Sequence, residues 1–297
     1  MKPRVVVGYA PALHSEPALD EAAAEAVRRD AVLLVVHAFQ PAPSSSEQRA
    51  HLASEDTTRP GHAAALRIAE RGADHVCSRH PGLEVRALAA DGSVPAVLAD
   101  AAAEADAELL VVGHRGQGGL AELVLDSAAV HLASSPGRPT MIVRRRAPER
   151  RGTVLAAIDL RDPADGVLAF AFEEARLRGA SLEAISVRDS FWPPVYAGDP
   201  DDLRRSAVHA EDNAVLALER ILRPWETAYP DVPHRRQLLH GSPGAVLTAS
   251  SSYADLVVAG AHRHGADALP VGDAHIGSTV HPLLLRADCP VVIIPQG

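Results

Sequence analysis

Short apolar runs alternate along the chain with longer stretches in which small apolar residues recur among charged ones. Val5-Val-Val-Gly8 reads as a buried strand, Ala18 to Arg29 as an Ala-rich helix and Val32 to Val36 as a second strand. A helix over Ala63 to Arg79, a strand at Glu84 to Leu88, a helix over Pro95 to Glu104 and a strand at Leu109 to Val112 follow. The half closes on an apolar strand, Met141 to Arg144. Buried runs alternating with helices predict βαβ units and a parallel sheet. Residues 41–60, rich in Pro and Ser, interrupt the pattern and read as a surface loop.

The same order then returns. Thr153 to Ile158 reads as a strand, Val167 to Arg178 as a helix and Leu182 to Val187 as a strand. Asp189 to Asp202 reads as a Pro-rich loop and Ala207 to Leu222 as a helix. A turn at His240 to Gly244 matches Gly92-Ser93, and the strands Ala254 to Val258 and Val291 to Ile294 complete the half. The pattern predicts an α/β protein of two tandem doubly wound domains, each a five-stranded parallel sheet flanked by helices. A basic stretch from Arg144 to Gly152 separates the halves, giving domains 1–146 and 153–297 with a linker at 147–152. The last strand of each half is an apolar edge that needs a partner. Pairing the two with each other would make the chain an internal pseudo-dimer, and a further homodimer is compatible with that.

Composition narrows the chemistry. Hydrophobic residues make up 47% and aromatic residues only 3%, so the cores are to be built from Ala, Val, Leu and Ile. A net charge of −9 leaves no basic excess to neutralise a nucleic-acid backbone. No apolar run is long enough to span a membrane, and the chain passes from Met1-Lys2-Pro3 straight into a strand. A cytoplasmic protein without signal peptide is the expectation. Cys77 and Cys289 are too few for a disulfide framework. Lys2 is the only lysine, which excludes a Walker A loop, a kinase strand lysine and a Schiff base. An anion would have to be held by backbone amides, hydroxyls, His or Arg.

Candidate chemistry lies in a duplicated glycine turn. In the first half, strand Leu109 to Val112 runs into Gly113-His-Arg-Gly116 and then Asp126-Ser127. In the second, Val257-Val-Ala-Gly260 runs into Ala-His262-Arg263-His264 and then Gly277-Ser278. Open parallel sheets bind ligands beyond the carboxyl ends of their strands, where strand order reverses. Glycine lets backbone approach a ligand there, and a hydroxyl at a following helix start sits where free amides favour an anion. The same features also serve a tight strand-to-helix connection with a Ser N-cap.

With these motifs in place, the chain resembles the universal stress protein family in its tandem, actinobacterial form. That family's signature is Gly, two residues, Gly, nine residues, Gly, then Ser or Thr, with an Asp just after the first strand. The resemblance implies an adenine-nucleotide (ATP) fold, pairing of domains through their last strands, and a role in stress response without enzymatic turnover. Gly113, Gly116 and Ser127 fall on the signature in the first half, and Ala38 ends the second strand where the family's adenine packs. There, however, Asp126 replaces the third glycine and Ala10 the strand-end Asp. In the second half Asp159, Val187, Gly260, Gly277 and Ser278 match, while Arg263 replaces the second glycine beside His262. The span from Gly260 to Ser278 is 18 residues against 14 from Gly113 to Ser127.

The resemblance thus implies ATP, with or without magnesium, held mainly in the second domain for a regulatory role. Ligand binding would order the loops at 41–60 and 191–202 and change a surface offered to a regulatory protein partner. The alternatives are an interaction module with both sites degenerate and, further off, a slow ATPase. His262-x-His264 has the spacing of a metal pair, but no third ligand stands at recognisable spacing and no HExxH or CxxC occurs, so no metal site is expected. His240 to Gly244 lacks the spacing of a nucleophile elbow and reads as a turn with a helix cap.

Overall fold

The computed structural model describes residues 2–11, 16–40, 60–114, 127–134, 137–144, 151–162, 164–188, 200–261, 268–271 and 274–295. The chain divides into two compact units, Met1–Arg146 with Val271–Ala274, and Ala147–Pro270 with His275–Gly297. The first contains β1 (Arg4–Gly8), α1 (Glu16–Arg28), β2 (Val32–Phe39), α2 (Pro60–Arg79), β3 (Val85–Asp91), α3 (Val94–Glu104), β4 (Leu109–Gly113), α4 (Ser127–Ser134) and β5 (Thr140–Val143). Its strands are parallel in the order β3-β2-β1-β4-β5. The second contains β6 (Thr153–Ala157), α5 (Asp165–Arg178), β7 (Ser181–Arg188), α6 (Pro200–Ala228), β8 (His234–His240), α7 (Pro243–Ser250), β9 (Leu256–Gly260), α8 (Val280–Arg286) and β12 (Val291–Ile294). Its order is β8-β7-β6-β9-β12, again parallel. In each unit the order reverses beside the first strand, between β1 and β4 and between β6 and β9.

The central strands are apolar on both faces because helices cover both faces. Val5, Val6, Val7, Leu109 and Val111 are fully buried, as are their counterparts Val154, Leu155, Ala156, Leu256, Val257 and Val258. The helix ends repeat as well. After α1 the Ala31 amide donates to Ala26 at 2.8 Å, and after α5 the Ala180 amide donates to Ala175 at 2.9 Å. The residue between strand and helix is left-handed in both, Asp30 at φ 47° and Gly179 at φ 60°. One turn earlier each helix buries a carboxylate against arginine, Glu25 with Arg28 and Arg29, and Glu174 with Arg178.

Three features depart from the sequence reading. Helix α6 starts at Pro200 and continues past Pro224 to Ala228, beyond the Ala207 to Leu222 expected. Proline at a helix start costs no bond. At the far end Trp225 and Tyr229 stack on buried Phe172, at centroid distances of 6.4 and 5.4 Å, and hold the turn that Pro224 weakens. Secondly, the longer span after β9 contains β10 (Ala268–Val271) and β11 (Ala274–Gly277), a two-stranded sheet of their own. Thirdly, Gly277 therefore ends a strand and does not open a helix. Exposed Ser278 lies in the following turn, and Thr279 occupies the cap position of α8 without a side-chain cap bond.

Candidate functional site

The two units share one backbone frame at their strand ends. The Tyr9 amide donates to Val36 O at 2.8 Å, as Ile158 does to Ile185 O at 2.8 Å. Gly92 donates to Phe39 O at 2.9 Å and Gly241 to Arg188 O at 3.0 Å. His114 donates to Val143 O, and Ala261 to Ile294 O, both at 2.9 Å. These bonds make Ala10 equivalent to Asp159, Ala38 to Val187 and Gly113 to Gly260, as the repeat implies. Gly92 and Gly241, at φ 145° and 134°, open equivalent helices from a conformation closed to other residues.

In the second unit these ends surround a cavity of about 60 Å³ at the point where strand order reverses. Asp159, Val187 and Gly260, from three different strand ends, line it together. Among the lining residues that sequence reasoning passed over are Arg161, Pro243, Leu247 and Thr279. Only the shared Gly-Ser turn before α3 and α7 pointed toward Pro243. Gly244 allows α7 to pass close to the segment before α8. A Cβ there would lie 3.0 Å from Ser278 O and 2.8 Å from Pro282 Cγ. Ser242 holds the cap position of α7, but its hydroxyl makes no cap bond. The space is small beside the several hundred Å³ typical of small-molecule sites. His262 and Arg263, which follow β9 in the sequence, lie outside the described residues, as do Gly116 and Asp126. Ser127 opens α4, its side chain undescribed.

Asp159 is 24% exposed and begins a tight turn, in which the Asp162 amide donates to Asp159 O at 3.2 Å. Its carboxylate accepts from the backbone and side chain of Arg161. Among the described residues, Asp159 and Arg161 are the charged members of the lining, and their opposite charges offset each other.

The equivalent strand end of the first unit carries different groups. Ala10 offers no polar group, and leucine packs where a side chain on β1 would begin, with Leu98 Cδ1 only 2.7 Å from the Cβ position of Gly8. The Tyr9 ring lies 2.8 Å from the Cβ position of Gly72 on α2, and Tyr9 O contacts buried His37 Nδ1 at 2.8 Å. Among the described residues no group of three His, Cys, Asp or Glu side chains is placed to hold a metal, and no helix is long and apolar enough to cross a membrane.

A sequence profile described as the universal stress protein family matches residues 1–144 and again 151–295. The chain belongs to the universal stress protein family. A universal stress protein of Mycolicibacterium smegmatis is 28% identical over 298 residues, covering 98% of this chain and 96% of its own. Universal stress protein Rv2005c of Mycobacterium tuberculosis is 30% identical over 312 residues, covering 100% and 99%. Both relatives are named for a stress response and neither for a reaction. Among solved structures, functionally unknown protein PA1789 of Pseudomonas aeruginosa superposes with a TM-score of 0.66 at 17% identity, over 99% of this chain and 92% of that one. A universal stress protein of Archaeoglobus fulgidus gives 0.64 at 15% identity, over 100% and 99%. At such identity the likeness establishes the fold alone. Universal stress proteins solved in complex with cAMP and, from Archaeoglobus fulgidus, with dAMP match 48% of this chain each, with TM-scores of 0.36 and 0.35.

Proposed function

We propose that the second unit binds an adenine nucleotide, ATP with or without magnesium, in a regulatory role in a cytoplasmic stress response. The observation that carries this reading is the convergence of Asp159, Val187, Gly260 and Thr279 on one cavity at the strand-order reversal. Val187 and Leu247 offer apolar surface to a base, and Asp159 offers an acceptor to a ribose hydroxyl. Gly260 leaves backbone room for phosphate, toward which His262, Arg263, Gly277 and Ser278 would contribute. The first unit, with Ala10 in place of the carboxylate, contributes Ala38, Gly113, Gly116 and Ser127 to an inherited frame and binds more weakly or not at all.

Calorimetric titration of ATP and magnesium into the full chain tests the reading. Heat with the wild type and an affinity loss of at least about tenfold in Asp159→Ala, the scale of one lost hydrogen bond to a charged group, is the expected outcome. The small cavity favours one other reading, an interaction module with both sites degenerate. Absence of heat at high micromolar ATP would leave that second reading standing. Such a module would act through its surface on a regulatory protein partner.

A further inference from the structure

Asp159 ends the first strand of the second unit with its carboxylate turned back on its own chain. Arg161 donates to it three times: its amide to Oδ1 at 2.9 Å, Nε to Oδ1 at 3.0 Å and Nη2 to Oδ2 at 2.8 Å. The first bond is that of an Asx turn, which any residue two positions on could supply. The other two are not needed for the turn. They clip a planar guanidinium edge to edge onto the carboxylate, a geometry lysine cannot reproduce.

The Arg161 side chain is 85% exposed, and an ion pair so open to water adds little to stability. What the pair does achieve is placement. Both residues line the cavity at the ends of β6, β7 and β9. A lone carboxylate on that wall would repel an anionic ligand. With the guanidinium attached, that negative charge is offset and a cationic fork is fixed beside the cavity. The two residues also come and go together: the first half has Ala10 and, two positions on, Ala12.

We infer that Arg161, positioned by Asp159, is a further phosphate-recognising residue of this site, so that the site selects nucleotides bearing phosphate over the bare nucleoside. The inference rests on the adenine-nucleotide reading above. It is tested by titrating adenosine, AMP and ATP into the wild-type chain, Arg161→Gln and Arg161→Lys, each verified as folded by its thermal melt. The wild type is expected to bind AMP and ATP at least about tenfold more tightly than adenosine, the scale of one charge-assisted hydrogen bond. Arg161→Gln should lose most of that margin while its adenosine affinity stays unchanged. Arg161→Lys should recover part of it through charge without the fork. ATP binding by Arg161→Gln as tight as, or tighter than, that of the wild type overturns the inference, as does an equal loss for all three ligands. A wild type that takes up ATP normally while Arg161→Gln is unaffected removes this inference alone. A wild type that binds none of the three removes the nucleotide reading and this inference with it.

Discussion

Position 183 shows how a single residue departs from the repeat. The shared strand-end bonds make Glu183 equivalent to Leu34, and both pair with an arginine on the neighbouring strand, Arg235 and Arg86. Glu183 is fully buried; Arg235 Nη2 donates to its Oε2 at 2.6 Å, while its Oε1 has no hydrogen-bond partner among the described residues. The hydrogen bond and charge of Glu183 raise the Arg235 guanidinium above its ordinary pKa. A buried carboxylate with a half-satisfied shell contributes little net stability, whereas losing its paired cation leaves an uncompensated charge. Arg235→Ala should therefore lower the melting temperature more than Glu183→Leu, and the double variant should recover toward Glu183→Leu. A Glu183→Leu variant that melts lowest of the three would contradict this account. Asp159 tells the same story from the functional side: residue type alone marks it as a candidate, but its meaning depends on Arg161 beside it.

Among the elements, α6 is the most instructive. Its final turns run through Pro224, whose ring removes an intrahelical bond and disfavours continuation. Three of the ten aromatic residues of the chain, Phe172, Trp225 and Tyr229, gather there and stack at 5.4 to 6.4 Å. His234 of β8 lies 6.0 Å from Phe172 and within 3.2 Å of Glu226, adding the strand to the cluster. Phe172→Ala should cost about 3–5 kcal/mol, as large aromatic truncations in cores do. Urea unfolding would measure that cost. Amide exchange should quicken selectively over residues 225–228; protection there equal to wild type would show that the stack does not hold the turn.

For the whole molecule, duplication of fold does not entail duplication of chemistry. Both halves keep the strand order and the strand-end bonds, yet the second alone has a carboxylate at the end of its first strand. Native mass spectrometry of the full chain with excess ATP should accordingly show one nucleotide per chain, and Asp159→Ala should lower that occupancy. Two bound nucleotides in the wild type would mean that Ala10 and the packing of Leu98 under Gly8 leave the first half competent.

Much was legible in the sequence because the governing effects are local or periodic. Strands buried on both faces appear as unbroken apolar runs, helices as spaced ones, and the glycine turn recurs at a fixed place in each half. That sufficed for the tandem α/β architecture and for singling out Asp159, Val187 and Gly260, which line one cavity. The rest depends on contacts between residues far apart or on the course of a turn. Nothing local signals that the Arg161 fork closes on Asp159, or that Thr279 reaches the same cavity. Nor does it signal that Phe172 carries a helix past its proline. The extra residues after β9 read as a longer loop, but whether they pair as β10 and β11 is decided by backbone hydrogen bonds that no single segment specifies.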